Sequence, residues 1–131
     1  MTGLKRVLLV EDDEAVREAL AQTLDLADLS PIPAGSFVVA KDHITRDFAG
    51  VILSDIRMPG RDGFHLLSFA RDIDDELPVI LLTGEGDIPM AVSAMEQGAF
   101  DFLEKPCAPN DLLAVLQRAL DARQVVLNAR A

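Results

Sequence analysis

Oxygen- and nitrogen-bearing side chains fall at the ends of apolar runs in this chain. Glu11 and Asp12 follow residues 7–10, Asp55 follows 51–54, Thr83 follows 78–82 and Lys105 follows 100–103. Taken singly, each has an ordinary explanation: the acids as solvated caps or turn residues, Thr83 as a strand former, Lys105 as a surface charge. Taken together they could do chemistry. Three carboxylates a few ångströms apart repel by roughly 3 to 4 kcal/mol per pair at an effective dielectric near 20, so something must compensate them. An all-oxygen donor set without Cys or His suits a hard cation, and Mg2+ is usually held this way, with waters and phosphate oxygens completing its shell. A phosphoryl group is the natural companion. Asp55 is then a candidate nucleophile for an aspartyl phosphate, Lys105 would offset charge on the transferring oxygens, and Thr83 would hydrogen-bond one of them.

For these residues to meet, the runs that carry them must be neighbouring strands. Residues 51–53 and 79–82 are Val, Ile and Leu without alternation, as in strands buried on both faces, and Pro59-Gly60 stops the first soon after Asp55. Residues 15–27 carry apolar side chains at three- and four-residue spacing, with Arg17, Glu18, Gln22 and Asp25 on the other face, which predicts an amphipathic helix. A second, poorly periodic helix is predicted over 37–48, a third from Asp62, a fourth from an Asp87 N-cap to a closing Gly98, and a last from Asp111 toward Asn128. Pro31 and Pro33 remove ladder donors and confine the weakest strand to an edge. Alternating strands and helices predict an α/β fold, a doubly wound five-stranded parallel sheet with helices on both faces and right-handed crossovers. Ligands of such sheets bind beyond the carboxyl ends of the strands, where the candidate residues fall.

A length of 131 residues fits one domain, enough to bury about two-thirds of its unfolded surface in one core. A formal net charge of −10 repels phosphate backbones and anionic headgroups and argues against direct contact with nucleic acid or membrane. Cys107 is the only cysteine, which excludes an intrachain disulfide and a thiolate metal cluster. The N-terminal apolar stretch is too short for a signal peptide or a membrane span, so a cytoplasmic location is expected.

Glu11-Asp12, the Asp55-Ile56-Arg57-Met58-Pro59-Gly60 run, Thr83 and Lys105-Pro106 together resemble the receiver domain of two-component response regulators, over nearly the whole chain. The resemblance implies a flavodoxin-like sheet of order 2-1-3-4-5, and phosphoryl transfer to Asp55 from a sensor histidine kinase. It also implies Mg2+ held by Glu11, Asp12, Asp55 and the backbone carbonyl of Arg57, a Thr83 and Phe102 switch, and a cis Lys105-Pro106 bond. Such a domain catalyses only its own phosphorylation and dephosphorylation. The runs from Thr83 to Val92 and from Gly98 to Pro106 look like the nitrogen-regulator and C4-dicarboxylate-transport-regulator subgroup, whose full-length members activate sigma-54 promoters. A nitrogen-fixation regulator with a helix-turn-helix output carries a similar run, which leaves the output domain open. Glu85 stands where close relatives often have His, which bears on phosphoryl lifetime, and is expected to pair with Arg57 across the mouth of the site. Cys107 replaces the Phe that usually follows Lys-Pro.

Two other readings compete. An aspartate-nucleophile phosphatase would use a second Asp two residues after the first, where this chain has Arg57. A non-phosphorylated interaction scaffold, or pseudo-receiver, would lack an acid, Thr83 or Lys105, and all are present. The receiver is expected over 1–122, with 123–131 extending the last helix toward an output domain. That helix, ~27 Å from Asp111 to Asn128, is expected to overhang. Its Leu113, Leu116, Leu120 and Leu127 stripe, interrupted by Arg123, would suit a partner helix; the alternative is core packing through Leu120. A homodimer is expected, through the overhang or through the face of fourth helix, fifth strand and last helix.

Overall fold

The least polar runs form the central strands. In the computed structural model, which describes residues 3–84 and 87–131, β3 (Gly50–Asp55) and β4 (Val79–Thr83) are buried at every position. They pair in parallel with β1 (Arg6–Val10), β2 (Ser30–Ala34) and β5 (Asp101–Glu104) in the order β2-β1-β3-β4-β5. The proline-bearing β2 lies at an edge, where its missing donors cost no ladder bonds. Successive side chains alternate between two cores. Leu8, Ile52 and Leu81 pack with Leu66, Leu67 and Ala70 of α3 (Gly63–Ile73) and Ala94 of α4 (Ile88–Glu96). Leu9, Leu53 and Ile80 pack on the other face, with Leu24 of α1 (Glu14–Leu26) and Leu112, Leu116 and Leu120 of α5 (Pro109–Arg130). Among the described residues no helix is long and apolar enough to cross a membrane.

Differences from the expected elements have local causes. The predicted helix over 37–48 is only α2 (Phe37–Ala40) and a 3-10 turn at Lys41–His43. Ser36 caps its start by accepting from the Val39 N–H, but buried Ile44 and Phe48 then pull the chain into the core as a turn. The last helix begins at Pro109, a residue suited to the first helical turn, rather than at Asp111. Its stripe is not a free seam. Leu116 and Leu120 are core, and Arg123 belongs to the same buried face. Arg123 donates to Asp74 and to the carbonyls of Phe48, Arg46 and Glu76, while Arg130 reaches Asp74 and Glu76. The far end of α5 is therefore tied down instead of overhanging.

Candidate functional site

Asp55 is the last residue of β3 and is held there from both sides. The Ser54 hydroxyl donates to the Asp55 carbonyl at 2.9 Å, and the Ile56 N–H continues the pairing by donating to Leu82 O at 3.0 Å. The loop then turns at Gly60, whose φ of +75° is the left-handed region that favours glycine. It returns at Gly63, whose N–H donates to Ile56 O at 2.8 Å. A Cβ on Gly63 would lie 2.7 Å from both the Asp55 carbonyl oxygen and Ile56 Cα, so only glycine lets α3 start this close to the strand end. Asp62 caps α3 by accepting from the His65 N–H.

The first strand delivers the acid pair. The Glu11 N–H donates to Ala34 O at 3.0 Å, and Arg17 Nη1 on α1 donates back to Glu11 O at 2.8 Å, which fixes the turn between β1 and α1. Asp13 caps α1 through the Val16 N–H, and its own N–H donates to Glu11 Oε2. Glu11 is buried and Asp12 exposed, yet one carboxylate oxygen each from Glu11, Asp12 and Asp55 lies within 4.8 Å of the others. At that separation two such charges repel by roughly 3 kcal/mol at an effective dielectric near 20. Burial raises the Glu11 pKa and the Asp55 charge adds to it, against the opposing bonds from the Asp13 N–H and Lys105.

Just past the fifth strand, Lys105 brings a cation into direct contact with this cluster. Lys105 Nζ donates to Asp55 Oδ2 at 2.8 Å and to Glu11 Oε1 at 3.2 Å. Its burial would lower its pKa, but the bonds and charges of Asp55 and Glu11 outweigh that and hold it raised. The Lys105 N–H donates to Thr83 O at 2.7 Å, and the Lys105-Pro106 bond is cis, as the resemblance implies. Three formal negative charges against one positive leave an excess equal in size to the charge of one Mg2+. The oxygen-only donors fit that ion, with Glu11 and Asp55 set by their strands and Asp12 open to water.

Thr83 and Phe102 lie beside this group on the sheet. Thr83 is buried at the end of β4, and its hydroxyl donates to Leu103 O at 3.4 Å. Phe102 pairs in register with Leu81, two residues before Thr83, so the alternation of strand side chains puts Thr83 and Phe102 on one face as diagonal neighbours. Phe102 is half-buried against the core there.

Arg57 has a partner that sequence reasoning missed. Its guanidinium is bound to Asp87, while Glu85, the expected partner, lies outside the described residues. Asp87 does occupy the N-cap position of α4 as expected, but its side chain makes no capping bond. A local capping pattern identified the residue; nothing local could show that an arginine thirty residues earlier would claim it.

A parallel flavodoxin-like sheet of this order, with acids and a lysine gathered at its carboxyl edge, defines a receiver-type signalling domain. The chain belongs to the response regulator receiver domain family, which it matches over residues 7–117. It is 49% identical over 125 residues to the C4-dicarboxylate transport transcriptional regulatory protein DctD of Pseudomonas aeruginosa, covering 95% of this chain and 27% of that protein. It is 40% identical over 116 residues to the DNA-binding transcriptional regulator NtrC of Klebsiella pneumoniae, covering 88% and 25%. These relatives agree with the subgroup read from the sequence. The chain spans about a quarter of their length. Among solved structures, a response regulator receiver domain protein from Clostridium thermocellum superposes with a TM-score of 0.87 at 26% identity, covering 94% of this chain and 99% of that one.

Proposed function

We propose that this domain accepts a phosphoryl group on Asp55 from the phosphohistidine of a sensor kinase and converts it into a change of surface that controls transcription. The observation that carries the reading is the Lys105 ammonium bridging Asp55 and Glu11 inside a cluster of three carboxylates. An Asp55 carboxylate oxygen attacks phosphorus, the P–N bond to the imidazole breaks, and the leaving nitrogen takes up a proton. Lys105 neutralises charge on the transferring oxygens. Bound Mg2+ would lower the repulsion between the incoming phosphoryl oxygens and the acids; Glu11, Asp12, Asp55 and the Arg57 carbonyl would hold it. The Thr83 hydroxyl, now on Leu103 O, would turn to a phosphoryl oxygen, and Phe102 would move into the space vacated on the same face.

The same reading assigns residues 1–122 to the receiver and 123–131 to a continuation of α5, anchored by Arg123 and Arg130, that leads toward an output domain of the sigma-54-activator kind. It places the protein in the cytoplasm and makes it a homodimer whose geometry changes on phosphorylation through the face of α4, β5 and α5. Incubation with Mg2+ and acetyl phosphate followed by mass measurement tests it against its rivals. A stable gain of one phosphoryl group, lost in Asp55→Asn, is the expected result. Continuous release of phosphate would mark a phosphatase, and an unchanged mass a scaffold.

A further inference from the structure

The N-terminus of α4 differs from those of the helices before it. At α1, α2 and α3 the N-cap residue is extended and its side chain accepts a backbone N–H: Asp13 from Val16, Ser36 from Val39, Asp62 from His65. At α4 the cap residue Asp87 is equally competent by type, yet its backbone is at φ −91° and ψ 28° and its carboxylate makes no capping bond. The carboxylate faces Arg57 instead, with the Gly84 N–H also beside it. Arg57 Nε and Nη2 donate to Asp87 Oδ2 and Oδ1, each at 2.9 Å, and Nη2 also meets Met90 Sδ at 3.3 Å. Beyond the Gly84 N–H, the Asp87 carboxylate therefore has a choice between the Arg57 fork and the first turn of its own helix. Pro89 has no N–H, so the donor it would cap is that of Met90.

This choice sits between the phosphoacceptor and a lightly held helix. Arg57 lies two residues after Asp55, and the Asp87 carboxylate rests 3.2 Å from where a Cβ on Gly84 would stand, next to Thr83. Only Ala91 and Ala94 of α4 are buried, against Gly63, Leu66, Leu67 and Ala70 of α3, so α4 has little packing to resist displacement. Its Ile88, Val92 and Met95 are exposed. A phosphoryl group on Asp55 would present anionic oxygens that a guanidinium recognises at least as well as a carboxylate.

We propose that the Arg57–Asp87 pair is a latch holding α4 in its unphosphorylated position, and that phosphorylation of Asp55 draws Arg57 away and lets Asp87 cap α4 at Met90. The proposal rests on Asp55 being the phosphoacceptor. Two variants release the latch while keeping a capping side chain, Arg57→Gln and Asp87→Asn; Asp87→Ala removes latch and cap together. In the unphosphorylated proteins, the Met90 amide is expected to exchange more slowly with solvent in the first two variants than in wild type, and not in Asp87→Ala. With Mg2+ present, Asp87→Asn is expected to bind beryllofluoride, a phosphoryl mimic, about two- to fivefold more tightly, the range set by what an exposed ion pair can hold back. Wild type saturated with beryllofluoride is expected to show the slow Met90 exchange as well. If wild type binds beryllofluoride but Met90 exchange and affinity are the same in Asp87→Asn, the latch is wrong and the phosphoacceptor reading stands. If wild type binds none, both fall.

Discussion

Among the described residues, two groups of three carboxylates lie at opposite ends of the same parallel sheet, and they are built on opposite principles. At the amino ends of the strands, Asp74 is saturated. It accepts Arg123 Nη1 at 2.8 Å, Arg130 Nη1 and Nη2 at 2.8 and 2.9 Å, and the Glu76 N–H at 3.0 Å. Arg123 and Asp74 side chains are both 0% exposed, and the remaining Arg123 donors go to loop carbonyls. At the carboxyl ends, Lys105 pairs with Glu11 and Asp55 but not with Asp12, the third acid of the group. The ionisation of the two groups follows suit. The Arg130 bonds, with help from Arg123 and against burial, hold Asp74 well below the usual carboxylate range, whereas burial pushes Glu11 up. Acids saturated by arginines have no charge left for a ligand to offset, whereas acids left with excess negative charge can be relieved by a bound cation.

The contrast predicts opposite responses to the loss of a charge. Arg123→Ala empties a fully buried site and leaves the Phe48 carbonyl without its donor, while Asp74 keeps Arg130, and is expected to cost about 2–5 kcal/mol in urea denaturation. A cost under about 1 kcal/mol would mean that the lock at α5 holds little. Acid is the next largest probe. A carboxylate whose pKa is depressed on folding contributes stability that is fully present above its unfolded pKa, about 3.9, and is lost as pH falls toward its folded value. Wild type should therefore lose stability below about pH 4 more steeply than Asp74→Asn, and parallel acid limbs would contradict the assignment.

Much of the carboxyl-edge group was legible in the sequence because each member sits within a residue or two of its own strand's end. The apolar runs that fix β3 and β4 are unbroken, so the placement of Asp55 and Thr83 follows from local pattern. The amino-edge group was not legible for the opposite reason. Arg123 looked like an interruption in a leucine stripe, since a buried arginine is affordable only with a partner, and that partner lies 49 residues away in the chain. The helix predicted over 37–48 failed because weak periodicity there reflects two anchoring side chains, Ile44 and Phe48, rather than a helical face.

Smaller effects refine the comparison. Without Mg2+, Asp12→Asn should leave stability unchanged or raise it by up to about 1 kcal/mol, since it removes repulsion at an exposed position. A loss of stability would mean that Asp12 is already compensated. Arg130→Ala should matter least, because Asp74 keeps Arg123 and the Arg130 side chain is partly exposed. Faster amide exchange confined to the last turns of α5 is the expected result, and global destabilisation comparable to Arg123→Ala would contradict it.

The most direct test is thermal unfolding in Mg2+, with one variant from each acid group. A ligand that binds only the folded state stabilises it by about 1.4 kcal/mol at ten times its dissociation constant, which is a shift of several degrees in a domain of this size. The expected result is that millimolar Mg2+ raises the melting temperature of wild type and of Asp75→Ala, in the amino-edge group, and leaves Asp12→Ala unmoved. No shift in wild type, or a shift that survives in Asp12→Ala, would contradict the assignment of the cation to the carboxyl edge.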